Sequence, residues 1–172
     1  MKIRLYEKRD RLSIYNIIST GLLNEARNDS EFADTKTQLT VTLQRDLDRF
    51  DRFAEKGWKC FNEKFWVGVV NECVVACVGL TKIQRQPKES KEMVCLHRLS
   101  VKSECRGRKY GKLLMEHLEN YVRLTAIKRI RLTTQENLEV AVKMYEARGY
   151  KLVERKRQGN LVLLKYQLIF QQ

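Results

Sequence analysis

The stretch from residue 92 to residue 134 constrains the fold more than any other, because it reads as strand, loop, helix and strand in turn. Residues 92–101 are rich in apolar and β-branched side chains, and 105–112 form a basic loop containing Gly107 and Gly111. Leu114, Leu118, Tyr121 and Val122 then share one helix face. Over 128–134, Ile130, Leu132 and Thr134 alternate with Arg129, Arg131 and Thr133. A helical crossover is how parallel strands are joined, so this unit predicts a parallel pair.

The flanking segments add strands and helices around that unit. Residues 2–6 alternate as a strand, and Asp10 stands where it can cap a helix carrying Leu12, Tyr15, Ile18 and Leu22. Residues 28–37 are polar and turn-like, and Leu43, Leu47, Phe50 and Ala54 mark an amphipathic helix ending near Gly57. Residues 65–70 and 74–83 read as strands joined at Asn71-Glu72-Cys73, and 84–91 as a polar loop with Pro87. Asn137 can cap a helix on which Leu138, Ala141, Val142 and Tyr145 share a face, and Gly149 ends it. Residues 150–154 and 161–170 are strands around a turn at Gln158-Gly159-Asn160. The order β-α-α-β-β-β-α-β-α-β-β predicts an α/β sandwich. With 172 residues and no linker, repeat or low-complexity tract, one domain spanning 1–172 is expected.

Charge and cysteine usage narrow the function classes. Thirty-four Lys and Arg against 21 Asp and Glu give a net charge of +13, which favours phosphorylated cofactors, acidic substrates or other polyanions, or else is plain solvated surface. No block of five like charges occurs and no nucleic-acid module is recognisable, so no nucleic-acid partner is expected. The odd cysteine set at 60, 73, 77, 95 and 105 points to reduced thiols. Cys73 and Cys77 have no second ligand pair at zinc spacing, so no metal is expected. The first ten residues are too charged for a signal peptide, and no apolar run approaches the roughly 20 residues of a membrane helix. A soluble cytoplasmic protein is expected, with the nucleus left open.

The 106–112 loop carries the chemistry. It lies between a strand and a helix start, where backbone N–H groups have no intrahelical partner and the helix dipole adds positive potential. Gly107 and Gly111 allow backbone to approach a ligand, and Arg106, Arg108, Lys109 and Lys112 add full charges around Tyr110. The loop suits a diphosphate. Read in isolation, it is equally a basic turn in which the glycines serve local geometry.

Wider context removes that isolation. Leu96-His97-Arg98-Leu99-Ser100-Val101 followed by Arg106-Gly107-Arg108-Lys109-Tyr110-Gly111 resembles the acetyl-CoA motif Gln/Arg-x-x-Gly-x-Gly/Ala of the GNAT superfamily, with Lys109 in place of the middle glycine. Asn137, Ala141 and Tyr145-Glu146-Ala147-Arg148-Gly149-Tyr150 are similar to the family's second motif. Asp46-Leu47-Asp48, 65–69, 74–79 and 98–101 look like the camello-type branch, which includes cysteine S-conjugate N-acetyltransferases. Those relatives usually carry a long hydrophobic membrane segment, whereas residues 20–45 here are polar and charged. The resemblance implies a mixed, mostly antiparallel sheet, a parallel pair splayed at the acetyl-CoA site, and helices on both faces.

It also implies acetyl transfer from acetyl-CoA, as co-substrate, to a primary amine on a small molecule or protein. The amine attacks directly through a tetrahedral intermediate, and a homodimer is compatible with the pattern. The alternative is a CoA-binding regulatory module without catalysis. By the resemblance, Arg106, Gly107, Arg108, Lys109, Tyr110, Gly111 and Lys112 hold the pyrophosphate, and main-chain N–H groups near Leu99, Ser100 and Val101 polarise the thioester. Asn137 either bonds the pantetheine arm or only caps its helix. Tyr145 matches the family's tyrosine that protonates the departing thiolate, or else packs its ring in the core. The glutamate many relatives use as base is replaced by Cys95. His97, on the same strand face, has a reference pKa near 6.5 that suits the work. Glu92, a Cys95 nucleophile and a water-mediated base are the other readings. Arg155, Lys156 and Arg157 hint at an acidic acceptor or are plain surface.

Overall fold

The computed structural model describes the backbone of residues 1–25, 32–59, 63–82 and 92–170, and the side chains of these except 22–25 and 32–39. The elements are β1 (Lys2–Leu5), α1 (Arg11–Glu25), α2 (Phe32–Glu55), β2 (Lys64–Val70), β3 (Cys73–Lys82), β4 (Met93–Val101), α3 (Tyr110–Arg123), β5 (Arg129–Gln135), α4 (Glu139–Ala147), β6 (Lys151–Gln158) and β7 (Leu161–Ile169). The strands form a seven-stranded sheet in the order β1-β2-β3-β4-β5-β7-β6. It is a mixed α/β fold, mostly antiparallel, with β4 and β5 as its parallel pair. The expected polar loop at 84–91, the turn at 28–31, the side chain of Leu22 and Cys60 lie outside the described residues.

By their contacts the residues fall into two compact units, Met1–Gly79 with Arg98–His117, and Leu80–His97 with Leu118–Gln172. In the first, β1 pairs antiparallel with β2 from Lys2↔Val69 to Leu5↔Trp66. Buried Tyr6, Ile14, Ile18, Leu43, Leu47, Phe50, Trp58, Phe65, Val67 and Cys77 make its core. The stripe at Leu43, Leu47 and Phe50 is the buried face of α2, as its spacing predicts. The helix begins earlier than the polar residues suggested, at Phe32 instead of after 37. No glycine or proline breaks 32–55, so weak local propensity at Asp34, Thr35 and Thr37 is overridden. Gly57 (φ 67°) and Trp58 (φ 53°) end the helix, and Trp58 N–H returns to Phe53 O at 2.8 Å.

Asp10 differs from its expected role. It closes a short 3-10 turn (Lys8–Asp10) ahead of α1, accepts the Glu7 N–H at 2.9 Å, and is gripped by both terminal nitrogens of Arg4 at 2.6 and 2.8 Å. The β2–β3 hairpin is tighter than a three-residue join. Asn71 (φ 46°) and Glu72 (φ 65°) form a two-residue turn with both φ positive, the geometry that matches strand twist, and Cys73 already belongs to β3.

In the second unit, β5 pairs antiparallel with β7 from Arg129↔Ile169 to Gln135↔Leu163, and β7 returns to β6 through Gly159 (φ 58°) and Asn160. Ile130, Leu132, Leu118, Val122, Tyr145, Tyr150, Leu164 and Tyr166 are buried. Arg148 donates to both oxygens of the buried Glu119 carboxylate at 2.8 and 2.6 Å, which satisfies that charge below the surface. The parallel pairing runs only from Met93↔Arg129 to Cys95↔Arg131, although β4 continues to Val101 and β5 to Gln135.

Candidate functional site

In the first unit, the second half of β4 departs from a regular strand. Arg98 has φ 56°, a left-handed conformation that side chains with a Cβ rarely adopt. Its Nε donates to Asp46 Oδ2 of α2 at 2.9 Å, and a terminal guanidinium nitrogen reaches the same oxygen at 2.9 Å. Its carbonyl oxygen accepts the Cys77 thiol of β3 at 3.3 Å. Burial pushes that thiol up to about 12, against opposing effects of Arg98 and the Ser100 amide, so it remains a proton donor at neutral pH. The Ser100 N–H faces the Cys77 sulfur. Amides alternate sides along a strand, so those of Leu99 and Val101 point away from β3. The strand closes where Lys102 N–H bonds Val75 O at 2.8 Å.

A 3-10 turn (Ser103–Cys105) then delivers the basic loop. Gly107 takes φ 77° with nothing within 4 Å of where a Cβ would stand, so the backbone conformation alone calls for glycine there. Lys109 takes φ 63°, at the position where the resembling motif has its middle glycine. The lysine therefore keeps the left-handed turn and bears its cost. The first intrahelical bond of α3 is Leu113 N–H to Lys109 O at 3.1 Å, which leaves Tyr110, Gly111 and Lys112 as the N–H groups of the open first turn. Gly111 lies in α3 and a Cβ there would meet only Val101 Cγ2 at 3.7 Å, an ordinary contact. Neither φ nor packing requires glycine at 111.

Arg106, Arg108, Lys109 and Lys112 are exposed around this turn, and Arg106 Nε leans on Val101 O at 3.4 Å. Arg106 also lines a cavity of about 1180 Å³ together with Arg4, Asn16, Gly21, Lys102 and Glu104. Two of the cations there are already engaged, Arg4 by Asp10 and Glu7, and Lys102 by Glu104 at 2.8 Å.

His97, Asn137 and Tyr145 belong to the second unit. Tyr145 is buried on α4, with its ring 5.8 Å from Tyr150 and 6.4 Å from Tyr166. Burial pushes its hydroxyl up to about 12, so it holds its proton throughout the physiological range. Asn137 does not cap α4. The N-cap is Leu138, with no side-chain bond, and Asn137 is exposed in the turn before it. His97 is half-buried on β4. Because Arg98 interrupts the pleat, a face assigned to His97 does not carry over to Leu99. Burial raises the Cys95 thiol, with Arg131 and Lys165 pulling the other way, which disfavours the thiolate a nucleophile needs. Glu92 is paired with Lys128 at 2.7 Å. Arg155 is held by Glu136 at 2.9 Å, while Lys156 and Arg157 are exposed on β6. Among the described residues no helix is long and apolar enough to cross a membrane.

Comparison with known proteins bears on the whole arrangement. The chain is 32% identical over 90 residues to the probable N-acetyltransferase camello of Xenopus laevis, a match taking in 52% of this chain and 39% of that relative. Its fold is similar to Salmonella typhimurium yncA, solved with its cofactor acetyl-CoA (TM-score 0.77, 16% identity, 100% of this chain and 95% of that one). It is also similar to a ribosomal-protein-alanine N-acetyltransferase of Brucella melitensis (TM-score 0.75, 15% identity, 99% and 100%). A third is the paia N-acetyltransferase of Thermoplasma acidophilum in complex with coenzyme A (TM-score 0.72, 17% identity, 95% and 96%). Residues 24–150 match the acetyltransferase (GNAT) family, and the chain belongs to that family.

Proposed function

We propose that the protein transfers an acetyl group from acetyl-CoA to a primary amine, carried by a small molecule or a protein, within one domain spanning 1–172. The observation that carries this reading is the loop before α3. It joins exposed cations, two left-handed residues and an open helix N-terminus to a glycine that the chain's own packing does not need. Such a glycine fits a site where a phosphate approaches the backbone closely. Arg106, Gly107, Arg108, Lys109, Tyr110, Gly111 and Lys112 would hold the diphosphate.

Bound acetyl-CoA supplies an acyl thioester. The chain's own tasks are then to orient it, to take a proton from the amine and to provide one for the departing sulfur. Leu99 and Val101 offer main-chain N–H groups that alternate with the Lys102 N–H bonded to Val75 O and so are directed away from β3. Tyr145 keeps its phenolic proton at neutral pH because it is buried, which suits a donor. His97 is the base the reading favours. A free amine near pKa ~10 is almost wholly charged at neutral pH, so some group must accept its proton. Asn137, which caps nothing, remains available to the pantetheine arm.

The test is release of CoA thiol from acetyl-CoA across polyamines, amino acids, S-substituted cysteines, aminosugars and peptides. Turnover with one class identifies the acceptor. Binding of acetyl-CoA without turnover on any class would replace this reading by that of a CoA-binding regulatory module, and absence of binding would remove both.

A further inference from the structure

The kink at Arg98 is unusual in its residue type. Glycine adopts a left-handed φ freely, and asparagine or aspartate does so with local help, but arginine needs the surrounding structure to impose it. That imposition is visible in three places. The guanidinium is pinned to Asp46, with side-chain exposures of only 15% and 24%, so solvent screens the pair weakly. The Arg98 carbonyl accepts a hydrogen bond from the Cys77 thiol at 3.3 Å. Asp46 itself stands on a rigid support, because Leu43, Leu47 and Phe50 of the same helix are buried in the core. Helix α2 and strand β3 thus grip a single residue of β4 from its side chain and from its backbone. The amides next along β4 that alternate away from β3 are those of Leu99 and Val101.

We propose that Asp46, Arg98 and Cys77 form a clamp that holds β4 in its left-handed kink and so act as positioning residues for the amide donors of Leu99 and Val101. The proposal rests on the reading that these amides polarise the thioester carbonyl. None of the three side chains touches the reacting atoms. Their effect is on where two backbone N–H groups point, a setting that hydrogen-bond geometry makes sensitive to small rotations.

The experiment compares the full chain with Asp46→Asn, Arg98→Ala and Arg98→Gly, using acetyl-CoA labelled with carbon-13 at the acetyl carbonyl. Calorimetry gives affinity, and infrared spectroscopy of the bound thioester reports the carbonyl band that amide donors shift. Acetyl-CoA affinity should stay within about threefold in all variants, because the diphosphate loop is untouched. In the wild type the band should move on binding. In Asp46→Asn and Arg98→Ala that shift should be lost, with kcat down about tenfold. Arg98→Gly also lacks the ion pair but adopts the kink without strain, and should recover the shift and most of kcat. Asp46→Asn keeps side-chain shape, so the test survives if Arg98→Ala fails to fold. Equal behaviour of the glycine and alanine variants would overturn the clamp, as would an undisturbed band in Asp46→Asn. A wild type that binds acetyl-CoA with an unshifted band would overturn the clamp alone. A wild type that does not bind acetyl-CoA would overturn the functional reading, and the clamp with it.

Discussion

Replacing Gly111 by alanine and by tryptophan separates stability from ligand binding. The added methyl meets only Val101 Cγ2 at 3.7 Å, so the folded chain accommodates it without displacement. The residue is helical, and alanine is favoured over glycine by about 1 kcal/mol in a helix interior, nearer ~0.5 kcal/mol this close to the N-terminus. For a chain of this length that raises the melting temperature by roughly 1–2 °C. The same methyl stands on the first turn of α3, beside the proposed diphosphate site. The motif that this loop resembles takes glycine or alanine at this position, so one methyl should leave acetyl-CoA affinity within about threefold. Thermal melting of the ligand-free protein and calorimetric titration with acetyl-CoA measure the two effects separately. Gly111→Trp should abolish binding altogether. Unchanged affinity in Gly111→Trp would refute the placement of the diphosphate, and a lower melting temperature for Gly111→Ala would refute the packing argument.

Three further outcomes are expected. Lys109 occupies a left-handed position, so Lys109→Gly should exceed Lys109→Ala in stability by about 1 kcal/mol, read as denaturant midpoints. Both variants lose the same charge, so an alanine variant of equal or greater stability would show that the turn is not left-handed. Tyr145→Phe keeps the buried ring and removes only the hydroxyl. It should lower kcat by roughly 10²–10⁴-fold while the KM for acetyl-CoA changes little, and undiminished turnover would take Tyr145 out of the mechanism. Burial pushes the Cys77 thiol from its ordinary value of 9.0 up to about 12 and so holds it protonated in the fold. Its contribution is therefore complete below pH ~9 and lost as pH rises from there through 12. Stability should fall over that window in the wild type and less steeply in Cys77→Ala, by urea unfolding at stepped pH. Parallel slopes would count against a fully buried thiol.

Periodicity and turn chemistry made most of the element order legible. The stripe Leu43-Leu47-Phe50, the alternation over 128–134 and the glycines at 57, 149 and 159 each depend on residues within a few positions of one another. Such patterns are local, and so they survive in the linear chain. What misled was also local. Polar residues at 32–37 suggested a turn although α2 runs through them, and Asn137 suggested a cap that Leu138 supplies by backbone alone. In both places the helix forms against local propensity, which is a weak term.

For the candidate site, sequence by itself determined the residue types of the 106–112 loop, because backbone amides, glycines and cations there are consecutive. Lys109 in a glycine position was visible, but only the folded chain showed that the left-handed turn persists beneath it. Asp46 and Arg98 were both part of a recognisable pattern, yet nothing in the linear order joins them. They lie 52 positions apart, and Cys77 comes from a third element. Their meeting at one kinked residue of β4 required α2 and β3 to be folded first, because a left-handed arginine is stable only where distant side chains compensate its strain.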